Sequence, residues 1–133
     1  MGSSGGSIVR PRFGDAALPA IRFRIYFDDR GHIGPGKVEL LEHIGRLGSI
    51  AAAGREMGMS YRRAWELVAD TSRIFGRPVT TRQAGGRHGG GAALTPLGQA
   101  IITRFRAAEA AITAATDEDV TALAAEIQGP IDG

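Results

Sequence analysis

The residues best suited to chemistry cluster at Ser60-Tyr61-Arg62-Arg63, with Glu66 one turn further on. Guanidinium groups on the first turn of a helix suit nucleic acid. Arg bonds bidentately to guanine O6 and N7, and it also pairs with phosphate oxygens. Arg62 and Arg63 are adjacent, so on a helix they diverge by ~100°. At most one points straight into a groove, and the other takes a phosphate. Glu66 either accepts from cytosine N4 or pairs with Arg62 or Arg63, and the spacing leaves both open. Tyr61 reads as half core and half phosphate donor, and Trp65 reads as core in preference to a stacking platform. Ser49 and Ser60 stand where helices begin, where free N–H groups and the dipole favour a phosphate. Capping explains both serines without any ligand. The run Gly85-Gly86-Arg87-His88-Gly89-Gly90-Gly91 has five glycines in seven residues. Glycine admits positive φ and lets backbone N–H groups approach phosphates closely. Arg87 and His88 there suit a minor-groove or backbone contact, or else decorate a surface loop.

Catalytic patterns are missing by contrast. The glycine run lacks the G-K-[ST] ending of a phosphate-binding loop and is not G-x-G-x-x-G after a strand. The one G-x-S-x-G match, Gly2 to Gly6, falls in the leader and not at the strand-to-helix turn that a nucleophile elbow needs. With no cysteine, disulfides, thiolate metal sites and a thiol nucleophile are all excluded. His32, His43 and His88 show no paired metal spacing, and His43 reads as a structural residue on an amphipathic helix. The expectation is a protein without catalytic activity and with no evident metal or cofactor.

Charge supports a polyanion partner once it is divided by position. The formal net charge is only +2, from 15 Arg, one Lys and 14 acids. Residues 46–106 hold ten Arg against Glu56, Glu66 and Asp70, a balance of +7. Residues 107–133 hold six acids and no base, a balance of −6. A basic middle beside an acidic end points to a polyanion-binding surface on the former. No apolar run approaches the ~18 residues of a membrane span. No export signal is evident, which predicts a cytoplasmic protein.

These side chains must be positioned by local elements. Met1 to Ser7 reads as a flexible leader. Ile21 to Phe27 alternates apolar and polar residues, the period of a half-buried strand, and His32-Ile33 suits a short return strand. Leu40, Leu41, Ile44 and Leu47 mark a first helix from Lys37, closed near Gly48. Ser49 caps a second, Ile50 to Met57, and Ser60 caps a third, Tyr61 to Phe75, across a Gly58-Met59 link. On the third, Ala64, Val68, Thr71 and Phe75 form the inward stripe. Two short helices joined by a tight glycine turn form a helix-turn-helix signature. Pro78 to Ala84 and Ala92 to Leu94 are β-prone and flank the glycine run as a wing. Thr95-Pro96 opens a long helix with Ile101, Phe105, Ala108 and Ile112 as its stripe. A further helical segment, capped around Thr116, carries Val120, Leu123 and Ile127.

Taken together, Gly48-Ser49-Ile50, Met59-Ser60-Tyr61, Ala64-Trp65, the runs Gly85-Gly86 and Gly89-Gly90-Gly91, Leu94-Thr95 and Gly98 resemble a known pattern. It is that of the N-terminal DNA-binding domain of ModE-type, molybdate-responsive regulators, over about residues 20–115. More distantly, G-S-I with L-T-P-x-G resembles the LysR-type winged helix-turn-helix. The resemblance implies a homodimeric winged helix that binds palindromic double-stranded DNA. It carries base and phosphate contact onto Ser60, Tyr61, Arg62 and Arg63, and wing contact onto Arg87. ModE proper continues into molybdate-binding domains, so this chain looks like a stand-alone short form, with molybdate or another oxyanion left as an open effector. Gly54 stands where such helices commonly carry a second alanine, which predicts a weaker helix. The expected fold class is mainly α with small β: a winged helix-turn-helix with an N-terminal β-hairpin and long C-terminal dimerisation helices. The expected domains are a leader over 1–19, the DNA-binding domain over 20–95 and a dimerisation arm over 96–133. The alternative is a protein-interaction and dimerisation module without sequence-specific DNA binding.

Overall fold

A computed structural model of the chain describes residues 19–83 and 91–129. Of the expected leader over 1–19, residues 1–18 lie outside the described residues. The expected alternation is present: odd-numbered residues from Ile21 to Phe27 are half-buried and the even-numbered ones are exposed. Only Ile25–Tyr26 (β1) forms a ladder, because its partner His32–Ile33 (β2) is two residues long and Gly34-Pro35 follows at once. A 3-10 turn over Asp28–Arg30 joins the two strands.

Helix α1 spans Pro35–Leu47 and so begins two residues before the expected Lys37. Pro35 occupies the first helical turn, where its missing N–H costs nothing. Val38, Leu40, Leu41 and Ile44 are buried, whereas Leu47, expected in the stripe, lies at the exposed helix end. Helix α2 (Ile50–Glu56) starts at Ser49, whose Oγ accepts from Ala52 N at 3.0 Å. Helix α3 (Tyr61–Phe75) starts at Ser60, whose Oγ accepts from Arg63 N at 3.0 Å. Between them Gly58 takes φ +74°, a left-handed turn that favours glycine.

The crossing of α2 and α3 explains Gly54. A Cβ there would meet the Ala64 Cβ at 3.1 Å and the carbonyl oxygens of Met59 and Ser60 at 3.4 Å. The glycine is thus a close-approach residue, and its weak helix propensity is offset by a tighter crossing. Ala64, Val68, Thr71 and Ile74 are the buried face of α3, with Phe75 only half-buried and set edge-on to Phe27. Among the described residues Thr71 is the one buried polar side chain, and it donates to Leu67 O at 2.8 Å.

The wing is a two-stranded antiparallel ladder, Thr80–Gln83 (β3) with Gly91–Leu94 (β4), in the register Thr80↔Leu94 to Gln83↔Gly91. Its base is tied twice. Ala92 N donates to Gly48 O at 2.9 Å, and Thr95 N donates to Val79 O at 3.0 Å. Thr95 Oγ1 also donates to Pro78 O at 2.9 Å and accepts from Gly98 N at 3.1 Å, so one hydroxyl caps a helix and locks the strand foot.

Helix α4 runs unbroken over Pro96–Ala125. The expected second segment is part of this same helix: no Gly or Pro interrupts it after Gly98, and Thr116 Oγ1 donates back to Ile112 O at 2.7 Å instead of capping a new start. Gly98, Ile101 and Phe105 are its buried residues, and Phe105 stacks on Phe23 with ring centroids 4.7 Å apart. Packing gathers Arg22–Ala108 into one unit, and the described residues from Glu109 on belong to another. The first unit is a mainly α winged-helix fold around a core drawn from α1, α2, α3, the wing base and the start of α4. Among the described residues no helix is long and apolar enough to cross a membrane.

Candidate nucleic-acid interface

Capping sets where α3 begins, and the burial stripe sets which side of it faces out. With Ala64, Val68 and Thr71 inward, the outward side carries Arg62, Glu66, Ala69 and Arg73. Arg62 is the most exposed of the group, its side chain 88% accessible against 58% for Arg63. The two guanidiniums diverge as adjacent helical residues must. Glu66 reaches both: Arg62 Nε lies 3.4 Å from Oε2, and Arg63 Nη1 lies 3.7 Å from Oε1. In the free chain Glu66 therefore pairs within its own helix. Exposed pairs of this kind contribute at most ~1 kcal/mol and open readily to a stronger partner.

Ser49 and Ser60 both act as caps, and each hydroxyl already accepts a backbone N–H. Arg87 and His88 lie outside the described residues, which end at Gln83 and resume at Gly91.

One flank of α3 is basic. Lys37 Nζ donates to His32 O at 2.9 Å at the junction of β2 and α1. Burial pushes the Lys37 ammonium below the usual lysine range; Asp70 partly offsets this, while Arg63, Arg73 and Arg24 push the same way. Asp70 is itself paired with Arg73. Side chains from the hairpin, the start of α1 and α3 thus share one field, in which Arg24, Arg63 and Arg73 act on Lys37 against Asp70.

The other flank holds the clearest departure from the sequence reading. Trp65, expected in the core, is 52% exposed, and Tyr61 is 57% exposed. Both line an open groove of about 370 Å³ between α3 and the wing. Ile50 and Ala51 belong to its α2 side, and Thr80, Thr81 and Arg82 to its wing side. Directly paired strand residues share a sheet face. Arg82 therefore lies on the same face as Ala92, which is buried against the body. Trp65 sits about 100° from the centre of the buried stripe, a position where periodicity does not separate core from groove. Thr80, Thr81 and Arg82 lie outside the expected site as well. Their only sequence signal is membership of the β-prone run after α3.

In the second unit, Leu123 and Ile127 are 71% and 78% exposed, four residues apart.

No protein-family model matches the chain. It is 46% identical over 80 residues to the molybdenum-pterin-binding protein MopB of Rhodobacter capsulatus, an alignment covering 60% of this chain and 30% of MopB. It is 38% identical over 81 residues to the molybdenum transport protein ModE of Azotobacter vinelandii, covering 61% of this chain and 30% of that protein. It is 35% identical over 71 residues to the DNA-binding transcriptional dual regulator ModE of Escherichia coli K12, covering 53% and 27%. The chain spans less than a third of the length of these curated relatives.

Proposed function

We propose that the chain is a non-catalytic, sequence-specific double-stranded DNA-binding regulator of ModE type, acting as a homodimer on a palindromic site. The observation that carries this reading is the outward face of α3. Its first two turns present Arg62, Arg63 and Glu66 to solvent, beside a two-stranded wing. A helix about 10–12 Å across with its side chains fits a major groove ~12 Å wide, and its N-terminal residues then meet base edges. The name of the Escherichia coli relative, a DNA-binding regulator, supports the same reading.

In this account Arg62 and Arg63 divide base and phosphate contact between them. Tyr61 and Ser60 flank them at the helix start, Glu66 exchanges its intrahelical pairs for a base or stays as a spacer, and Ser49 borders the backbone. Arg87 and His88 contact phosphate or the minor groove from the wing tip. The exposed Leu123 and Ile127 supply the apolar contact between two copies, and the acids of residues 107–133 keep that region off the phosphates. The molybdenum named in several relatives makes molybdate, or a similar oxyanion, the effector to test first.

Selection of bound sites from a randomised duplex pool, with and without molybdate, tests the reading. It should enrich an inverted repeat with half-sites a helical turn, or a multiple of it, apart. Retention of DNA without enrichment of any sequence would reduce the protein to a non-specific binder. Failure to retain DNA would leave the interaction-module alternative.

A further inference from the structure

We propose that the groove between α3 and the wing seats one sugar–phosphate strand of the duplex, with Trp65 packed on deoxyribose and Arg82 paired to phosphate. This rests on the DNA-binding reading and extends it to a second surface, off the outward face of Arg62 and Arg63.

The chemistry of the groove is mixed in a particular way. Trp65 and Tyr61 stand one helical turn apart and are both half exposed, so they present adjoining apolar area of the kind that marks an interaction site. Across the groove the wing contributes Thr80, Thr81 and Arg82, with Thr80 and Arg82 on the body-facing side of the strand, and no lining residue is acidic. A sugar–phosphate strand offers the complement: an apolar ribose face alternating with anionic oxygens that accept from hydroxyls, phenols and guanidiniums. A partner helix would want a longer apolar trough, and a small molecule would want enclosure, whereas this groove is only partly enclosed.

Geometry agrees with the chemistry. A helix of 10–12 Å that fills a groove ~12 Å wide must bring its flanks against the two strands bordering that groove. Tyr61 and Trp65 form one such flank of α3, and the body-facing side of the wing, with Arg82, closes over it. The opposite flank, near Lys37 and Arg63, meets the other strand with charge alone.

Trp65 is the single tryptophan of the chain, so its fluorescence reports on this groove directly. The test uses the full chain and a mixed-sequence duplex of two to three helical turns. Binding is read by anisotropy of a labelled duplex, and Trp65 exposure by acrylamide quenching with the unlabelled one. We expect saturating duplex to lower the quenching constant severalfold. Trp65→Ala should weaken binding about tenfold on all sequences alike, and Trp65→Phe should stay within about twofold of wild type. Arg82→Ala should make the slope of log K against log salt shallower by roughly one. Because Trp65 lies outside the core, Trp65→Ala should melt as wild type does. Duplex bound by anisotropy with unchanged quenching and an unaffected Trp65→Ala would overturn the groove assignment and leave DNA binding by the α3 face intact. A Trp65→Ala loss confined to particular sequences would replace the sugar contact by a base contact. Absence of binding at low salt would remove the DNA reading, and the groove assignment with it.

Discussion

Gly98 sets where the wing stands, and Gly98→Ala should show it. A Cβ built at Gly98 falls 2.4 Å from Val79 O, whereas real Cβ atoms essentially never come within 3.0 Å of such a neighbour. The obstacle is a backbone carbonyl that already accepts from Thr95 N at 3.0 Å, so it is not free to swing away. Two costs follow: overpacking of about 1–3 kcal/mol, and about 1 kcal/mol if the Thr95 hydrogen bond is lost. Against them stands up to ~1 kcal/mol from the better helix propensity of alanine. The balance is a net loss of about 1–3 kcal/mol, or roughly 5–20 °C in Tm for a unit of this size. Gly36→Ala is the control, since a methyl added there, in the first turn of α1, would have nothing within 4 Å. It should raise Tm by a few degrees through propensity and reduced unfolded-state entropy. Thermal melts by circular dichroism read both. If Gly98→Ala melted at or above wild type, the close approach of α4 to the foot of β3 would be refuted.

Glu66→Gln should cost under ~1 kcal/mol in stability, because both its pairs are exposed, and should tighten binding to mixed-sequence duplex a few-fold by removing a like charge. A loss restricted to sites with one particular cytosine would instead identify Glu66 as a base reader. Glu42 and Arg106 join α1 to α4 through two bonds of 2.8 and 2.9 Å and are partly buried. A double-mutant cycle with alanine at both should give a coupling of about 1–2 kcal/mol, between exposed and buried values, and a coupling near zero would show the bridge to be decorative. Burial, then Lys37 and Arg24, hold the His32 ring below the usual histidine range. As pH falls past about 6.5 the unfolded chain takes up a proton that the folded chain refuses, so stability drops until the folded ring protonates. His32→Gln should flatten that part of the Tm–pH curve, and superimposable curves for the two proteins would contradict the assignment.

The parts legible in the sequence are those governed by neighbours in the chain. Ser49, Ser60 and Thr95 each cap the helix they are expected to cap, because a cap needs only a hydroxyl and the next turn of backbone. Gly58 likewise marks the α2–α3 turn through its own φ. What is not legible needs knowledge of partners distant in sequence. Hydrophobicity alone places Trp65 in the core, and only the position of the wing decides that it lines a groove. The Thr116-Asp117-Glu118-Asp119 run reads as a helix start, yet with no Gly or Pro between Gly98 and Gly129 the backbone continues and the hydroxyl bonds backward. Gly54 reads as a flaw in a helix until Ala64 is placed opposite it.

The central claim, that the outward face of α3 binds duplex DNA, is tested most directly by a salt titration. A labelled mixed-sequence duplex is titrated with wild type and with the Arg62→Ala/Arg63→Ala double variant. The account predicts binding at low salt, log K falling linearly with log salt, and a slope shallower by roughly one to two in the double variant. No retention of duplex by the wild type at low salt, or equal affinity and slope for both proteins, would contradict it.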